Sequence, residues 1–173
     1  ESGGLLHPYR TEGAETVVVA LGSVNGTIKD VIDQIRDDGV AIGSLSICSF
    51  RPFPLEALAA ALAGAKRVVV IEKSLASGLG GMVASDVRMA LGQKAMPVYT
   101  VIAGLGGRPI TVASLMEVFT AATEDRLPEM QFLDLDYAAV EHEIARARAT
   151  RRSGPTAENV LRQLGSHRPA AKV

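Results

Sequence analysis

The sequence predicts an α/β fold, a three-layer sandwich built on a mostly parallel sheet of about five strands. Short runs of apolar, often β-branched residues alternate along the chain with segments whose apolar residues recur at helical spacing. The runs are continuous rather than alternating, which is typical of strands covered by helices on both faces. We therefore expect helices on both sides of the sheet, joined to it by right-handed crossovers, with any antiparallel strand at an edge.

The first half of the chain is predicted to form two strands and two helices. Residues 16–21 and 41–48 are apolar runs of strand length. Between them, Thr27 is predicted to cap a helix and Gly39 to end it. Pro54 is placed to begin the next helix, because proline fits the first helical turn. The predicted inward faces are Ile28, Val31, Ile32 and Ile35 in the first helix and Leu55, Leu58, Ala59 and Leu62 in the second.

The second half repeats this alternation. Residues 67–72 and 97–103 are predicted strands, and residues 131–136 are a short final one. Gly92 is predicted to end the helix between the first two of these strands, and Thr111 to cap the helix that follows. The predicted inward faces are Leu79, Val83, Val87 and Leu91, then Val112, Leu115, Met116 and Phe119, with Tyr137, Val140 and Ile144 beginning a last helix.

The composition excludes several classes of protein. The chain has 173 residues, of which 47% are hydrophobic and 21% charged, enough for one domain with a packed core. Its net charge of −1 does not favour a nucleic-acid partner. A single cysteine, Cys48, excludes an internal disulfide or an iron–sulfur cluster and is predicted to lie in the core. The apolar runs are too short to span a membrane, so we expect a cytoplasmic protein with no membrane partner.

The charge is unevenly distributed. Residues 1–145 hold 11 basic and 18 acidic side chains, a net charge of −7, whereas residues 146–173 hold 7 basic and one acidic, a net charge of +6. We therefore divide the chain into a linker from a preceding domain (1–15), the α/β domain (16–145) and a basic C-terminal extension (146–173), partly helical or disordered. The chain begins with Glu1, which leaves open whether that is a natural start.

Three glycine-rich loops, residues 22–26, 77–81 and 104–108, are predicted to follow strands of the sheet. In a parallel sheet such loops meet at one edge, where glycine exposes backbone N–H groups to an anion or permits tight turns and close packing of a neighbouring domain. No loop has a nucleotide-binding spacing. A stiff segment with Arg51 and Phe53 is a further candidate contact. The candidate residues for an anion or interdomain contact are Gly22, Ser23, Asn25, Arg51, Phe53, Gly78, Gly80, Gly81, Gly104, Gly106, Gly107 and Arg108.

No catalytic group is assigned from the residues. The serines have no histidine in a nucleophile-elbow context. Three histidines stand far apart without the spacing of metal ligands. Glu72 and Lys73, at the end of a strand, are either an acid–base pair or charges that face solvent or a partner.

Several segments resemble one enzyme family. They are Gly-Leu-Leu-His-Pro-Tyr-Arg (4–10), Val-Val-Val-Ala-Leu-Gly-Ser (17–23), Phe-Arg-Pro-Phe-Pro (50–54), Ser-Gly-Leu-Gly-Gly (77–81) and Ile-Ala-Gly-Leu-Gly-Gly-Arg-Pro-Ile-Thr (102–111). Together they resemble the second domain of the α-subunit of pyruvate (2-oxoacid):ferredoxin or flavodoxin oxidoreductases, a domain similar to the C-terminal domain of transketolases. The likeness covers about residues 4–122.

The resemblance implies a non-catalytic assembly domain. The family's enzymes oxidatively decarboxylate a 2-oxoacid with coenzyme A to acyl-CoA and CO₂, and reduce ferredoxin or flavodoxin. Thiamine diphosphate, magnesium and iron–sulfur clusters are then expected on the thiamine-binding and electron-transfer domains or subunits, which would be this chain's partners. This chain lacks a Gly-Asp-Gly…Asn pattern and is expected to hold no cofactor and to be inactive alone. The alternative is an independent module that binds coenzyme A or a nucleotide at the glycine-rich edge.

Overall fold

The structure, a computed structural model, describes residues 4–150. The chain divides into two compact units, Glu1–Asp134 and Leu135–Val173, and the predicted extension beyond residue 150 lies outside the described residues. No helix within 4–150 is long and apolar enough to cross a membrane. The elements are β1 (Leu6–Tyr9), β2 (Thr16–Leu21), α1 (Val24–Asp37), β3 (Ile42–Ile47), α2 (Leu55–Ala61), β4 (Arg67–Glu72), β5 (Leu75–Ala76), β6 (Gly80–Gly81), α3 (Met82–Leu91), β7 (Val98–Ile102), a 3₁₀ turn (Leu105–Gly107), α4 (Val112–Thr123), β8 (Met130–Phe132) and α5 (Tyr137–Thr150).

The first unit is built on a six-stranded sheet in the order β1-β3-β2-β4-β7-β8. All neighbours in it are parallel except β1, which runs antiparallel to β3 at the edge. The predicted α/β class and mostly parallel sheet are thus confirmed. The sixth strand is β1, which lies within the residues interpreted as a linker. Its mixed Leu-His-Pro-Tyr sequence is only partly buried and lacks the apolar run that marks a central strand.

The helices form two layers, one on each face of the sheet. One core cluster joins α1 and α4 to one set of strand residues, and another joins α2 and α3 to the alternate set. Residues 68 and 70 of β4 belong to the second cluster, and residues 69 and 71 to the first. Because successive strand residues point to opposite faces, a continuous apolar run serves both layers.

The last crossover differs in hand from the others. From β4 to β7 and from β7 to β8 the chain steps in the same direction across the sheet, yet α3 and α4 pack on opposite faces. Parallel connections stepping in one direction share a hand only if their helices share a face. The α1 and α2 connections match that of α3, so the expectation of uniform handedness is wrong for α4, which leads to the three-residue β8.

Two predicted helix starts are wrong, and one is confirmed. Helix α1 begins at Val24 with Ser23 as its N-cap residue, four residues before the predicted cap Thr27. Leu79, predicted on the inward face of α3, lies in the β5–β6 hairpin and is 58% exposed. Thr111 does cap α4, where its hydroxyl accepts a hydrogen bond from the Ser114 N–H at 3.1 Å.

Strand β1 and the loop after it are fastened to α1 by side chains. The Tyr9 hydroxyl donates to the Asp33 carboxylate at 2.8 Å, and the pKa of Tyr9 is raised chiefly by that hydrogen bond. The Arg36 guanidinium donates to the carbonyl oxygens of Ile42 and Arg10 at 2.6 and 2.7 Å. These contacts give the edge strand a fixed position, although its own residues bury little surface.

A second polar cluster lies at the amino end of the sheet. The Arg67 guanidinium donates two hydrogen bonds to the Asp125 carboxylate, at 2.9 and 2.8 Å, and a third to the Thr16 hydroxyl at 3.2 Å. Burial and the nearby Asp125 carboxylate raise the pKa of Tyr99. The cluster joins the loop after α4 to the starts of three strands and is therefore structural.

Candidate functional site at the carboxyl edge of the sheet

An open cavity of about 500 Å³ lies at the carboxyl ends of β2, β4 and β7. The chain leaves β2 in one direction, to β3, and returns past it to β4 on the other side. This reversal is the position at which open α/β sheets bind their ligands. The cavity wall combines apolar side chains from the strand ends, including Leu21 and Ile71, with the first and third glycine-rich loops.

The first glycine-rich loop brings the start of α1 to this cavity. Gly22 has a φ of +78°, which turns the chain sharply from the strand into the helix. Ser23 and Val24 follow it on the cavity wall. Asn25 is not part of that wall, since its side-chain amide donates to the Gly22 carbonyl at 2.9 Å and closes the turn.

The third glycine-rich loop forms the opposite wall. Gly104 and Gly107 line the cavity with positive φ values of +76° and +80°, whereas Gly106 lies in the same 3₁₀ turn without lining it. Arg108 also lines the cavity, and its guanidinium donates to the carbonyl oxygen of Asp134. This hydrogen bond fixes the end of the turn against the loop that follows β8.

The second glycine-rich loop does not join this cavity. Gly78, Gly80 and Gly81 belong to the β5–β6 hairpin and line a separate depression of about 490 Å³, together with Arg88 and Met130. The candidate glycines therefore fall into two groups. The sequence does not predict this division, because all three loops follow strands and only the three-dimensional path of the β5–β6 hairpin takes the second loop away from the cavity.

Arg51 and Phe53 occupy a third place. The Arg51 guanidinium pairs with the Asp86 carboxylate at 2.7 Å and stacks on the Phe50 ring, 4.0 Å from its centre. Phe53 is half-buried and packs on the core cluster beneath α2 and α3. Neither side chain lines the carboxyl-edge cavity, and Phe50 is the more exposed aromatic residue.

Glu72 has a role that neither sequence interpretation anticipated. Its side chain is only 7% exposed, and its two carboxylate oxygens accept hydrogen bonds from the N–H groups of Val83 and Ala84, each at 2.9 Å. It thus caps the start of α3 from the end of β4. Gly81, the N-cap position of α3, has no side chain with which to cap the helix. That glycine is the one hint of this role in the sequence.

The cavity is therefore a positively charged recess. Lys73 is exposed, and its ammonium group has no hydrogen bond or ion pair within residues 4–150, while Glu72 is engaged by α3. Such a recess suits anion binding. Within the described residues no group of three or more His, Cys, Asp or Glu side chains is placed to hold a metal ion. Cys48 is exposed just beyond β3, so its predicted core position is wrong.

Comparison with known proteins identifies relatives of this chain. Residues 14–115 match the family described as pyruvate:ferredoxin oxidoreductase core domain II. Subunit PorA of pyruvate synthase from Methanothermobacter thermautotrophicus is 41% identical over 115 residues, which cover 66% of this chain and 30% of that protein. PorA from Thermotoga maritima is 41% identical over 134 residues, 75% of this chain and 34% of the relative. The chain thus spans about a third of the curated relatives it matches.

A solved structure supports the fold. The 2-oxoglutarate:ferredoxin oxidoreductase from Magnetococcus marinus, with 2-oxoglutarate, coenzyme A and succinyl-CoA bound, superimposes with a TM-score of 0.55 at 19% identity. The superposition covers 68% of this chain and 19% of that one. The prediction of an independent ligand-binding module is not favoured, because both relatives named above are subunits of a larger enzyme.

Proposed function

Because the chain belongs to the family of pyruvate:ferredoxin oxidoreductase core domain II, we propose that it is the assembly domain of a 2-oxoacid:ferredoxin oxidoreductase. The complete enzyme would oxidatively decarboxylate a 2-oxoacid, transfer the acyl group to coenzyme A and reduce ferredoxin. The observation that carries the proposal is the family match over residues 14–115. The identity to two pyruvate synthase PorA subunits favours pyruvate as the 2-oxoacid.

The chemistry would take place on other domains or subunits, because this chain's residues do not fit the expected cofactors. A single cysteine is too few to hold an iron–sulfur cluster. Within residues 4–150 the one carboxylate that lines the carboxyl-edge cavity is Glu72, whose oxygens are occupied by two backbone N–H groups, so it is a poor ligand for the magnesium of thiamine diphosphate. We therefore assign no catalytic residue to this chain.

The same edge of the sheet is well suited to packing against sister domains. Four large apolar side chains from three of its loops are at least 38% exposed, and contact with a sister domain would remove this apolar surface from water. We propose that these loops contact the thiamine-binding and electron-transfer domains, in a cytoplasmic enzyme. The four side chains are Phe50, Leu75, Leu79 and Leu105.

An activity assay and a binding assay test the proposal together. The complete enzyme that contains this chain should reduce ferredoxin in the presence of pyruvate, and only when coenzyme A is added. The 173-residue chain alone should give no heat of binding when titrated with thiamine diphosphate and magnesium. Tight binding of that cofactor by the isolated chain, or a complete enzyme inactive with every 2-oxoacid, would overturn the proposal.

A further inference from the structure

We propose that the carboxyl-edge cavity is an oxyanion site, in which Lys73, Arg108 and the first turn of α1 bind a phosphate or carboxylate group. This goes beyond the assembly role, which needs only surface contacts. It rests on the cavity, on two cationic side chains from different loops, and on a helix start that has no anion of its own.

The start of α1 lacks the usual compensation for its exposed N–H groups. Ser23 makes no side-chain cap hydrogen bond, and the first turn contains no acidic residue. The N–H groups of Ser23 and Val24 have no hydrogen-bond partner within residues 4–150. A helix N-terminus carries a partial positive charge and favours an anion, and at α3 the protein itself supplies one, Glu72. At α1 no acidic residue of the described part of the chain, 4–150, takes that place.

Two cations from the loops after separate strands lie on the cavity wall; Lys73 has no partner within residues 4–150, and the Arg108 guanidinium donates to the carbonyl oxygen of Asp134, which leaves its charge unneutralised. Lys73 follows β4, and Arg108 follows the 3₁₀ turn after β7. Glu72 is the only acidic residue that lines the cavity within residues 4–150, and its charge is directed to α3. Since residues 1–145 carry a net charge of −7, this is a local excess of positive charge on an acidic body.

The size and lining of the cavity suit a ligand larger than a bare anion. A volume of about 500 Å³ lies within the range of small-molecule sites. Leu21, Ile71 and Ile110 form an apolar wall against which the uncharged part of such a ligand would pack. The oxyanion is then either part of a free phosphorylated molecule or the carboxylate of a small organic acid.

The test uses amide NMR spectra of the 173-residue chain, titrated with inorganic phosphate and, separately, with acetate at equal ionic strength. We expect saturable shifts at the Ser23 and Val24 amides with at least one of the two anions. Stronger binding of phosphate identifies a phosphorylated ligand, and stronger binding of acetate a carboxylate. An absence of shifts at these amides with both anions would overturn the proposal.

Charge variants separate a built site from general attraction to positive charge. Lys73→Gln should weaken binding about fivefold or more, the factor expected when one close charge contact is lost. Lys94→Gln, which removes the same charge from an exposed loop outside the cavity, should leave binding unchanged. Equal weakening by both variants would show nonspecific attraction and refute the site. Because the experiment measures anion binding to this chain, its result tests the oxyanion site separately from the enzyme assay that tests the proposed function.

Discussion

The contact between Gly81 and Glu72 yields a quantitative prediction about stability. A Cβ atom added at Gly81 would lie 2.1 Å from the Glu72 Oε1 and 2.8 Å from the Thr100 Cγ2. The φ of Gly81 is −73°, which any residue adopts, so the cost of Gly81→Ala is steric and not conformational. The alanine would displace the carboxylate from the start of α3.

The expected cost follows from the hydrogen bonds that would be lost. Glu72 accepts two buried backbone N–H groups, and a hydrogen bond to a charged group contributes about 1.5–3 kcal/mol. We therefore expect Glu72→Ala to lower the free energy of unfolding by about 3 kcal/mol, and Gly81→Ala by a similar amount. The double variant should cost little more than Glu72→Ala alone, because the displaced carboxylate is already absent. The coupling energy is then about 2.5–3 kcal/mol.

The assay is urea unfolding followed by circular dichroism. With a slope of about 2 kcal/mol/M, each single variant should lower the midpoint by about 1.5 M. Glu117→Ala, at an exposed position of α4, is the control and should change stability by no more than about 0.5 kcal/mol. Additive costs of the two single variants, within about 0.5 kcal/mol, would refute the capping argument.

Three further predictions concern other positions. Gly43→Ala should lower the free energy of unfolding by about 1–3 kcal/mol, because its Cβ would lie 2.4 Å from the backbone oxygen of Arg10. Asp33→Asn should lower the pKa of Tyr9, seen in the tyrosinate absorbance, because it removes the carboxylate that favours the neutral phenol. In the unaltered chain the raised pKa of Tyr9 stabilises the fold below pH ~10, the pKa of an unfolded tyrosine. This stabilisation is lost as the pH rises through the pKa of Tyr9 in the folded chain. The Cys48 thiol should react with Ellman's reagent without denaturant, because it is exposed.

Each of these predictions has a control or a contradictory result. Gly26→Ala, at an open position of α1, should be neutral or stabilise the chain by up to about 1 kcal/mol, whereas an equal loss at both glycines would contradict the steric argument. Asp38→Asn is the control for Asp33→Asn and should leave the tyrosine titration unchanged. If the Cys48 thiol reacted with Ellman's reagent only after the chain unfolds, Cys48 would be buried and the prediction would be wrong.

Much of the fold follows from local patterns. Residues 16–21 and 67–72 were predicted as strands because burial on both faces demands a continuous apolar run, and these bounds are those observed. The stripe from Ile28 to Ile35 likewise predicts the buried face of α1. Gly39 and Gly92 were predicted as helix ends, and both have the positive φ that such an end favours.

What the sequence did not predict depends on contacts between distant residues. Glu72 caps α3 across eleven positions, and no spacing rule connects the end of a strand with the helix after a hairpin. Leu79 fits the apolar spacing of α3, but it lies in the β5–β6 hairpin, and Gly80 and Gly81 separate it from the start of the helix at Met82. The first and third glycine-rich loops meet only because β2 and β7 flank β4 in the sheet. The parallel sheet made the position of the candidate site predictable, but not which of the candidate residues line it.

Pro8 has a consequence for how copies of this chain behave when crowded together. The Cys48 N–H donates to the Leu5 carbonyl, so residues 5, 7 and 9 direct their backbone groups toward β3, while Leu6 and Pro8 direct theirs outward. Proline has no N–H group, which leaves Leu6 as the sole outward donor of β1. A strand from another molecule could therefore form too few backbone hydrogen bonds with β1 to extend the sheet. The strand at the opposite edge, β8, has only three residues. The unit is thereby protected against joining edge to edge into fibres.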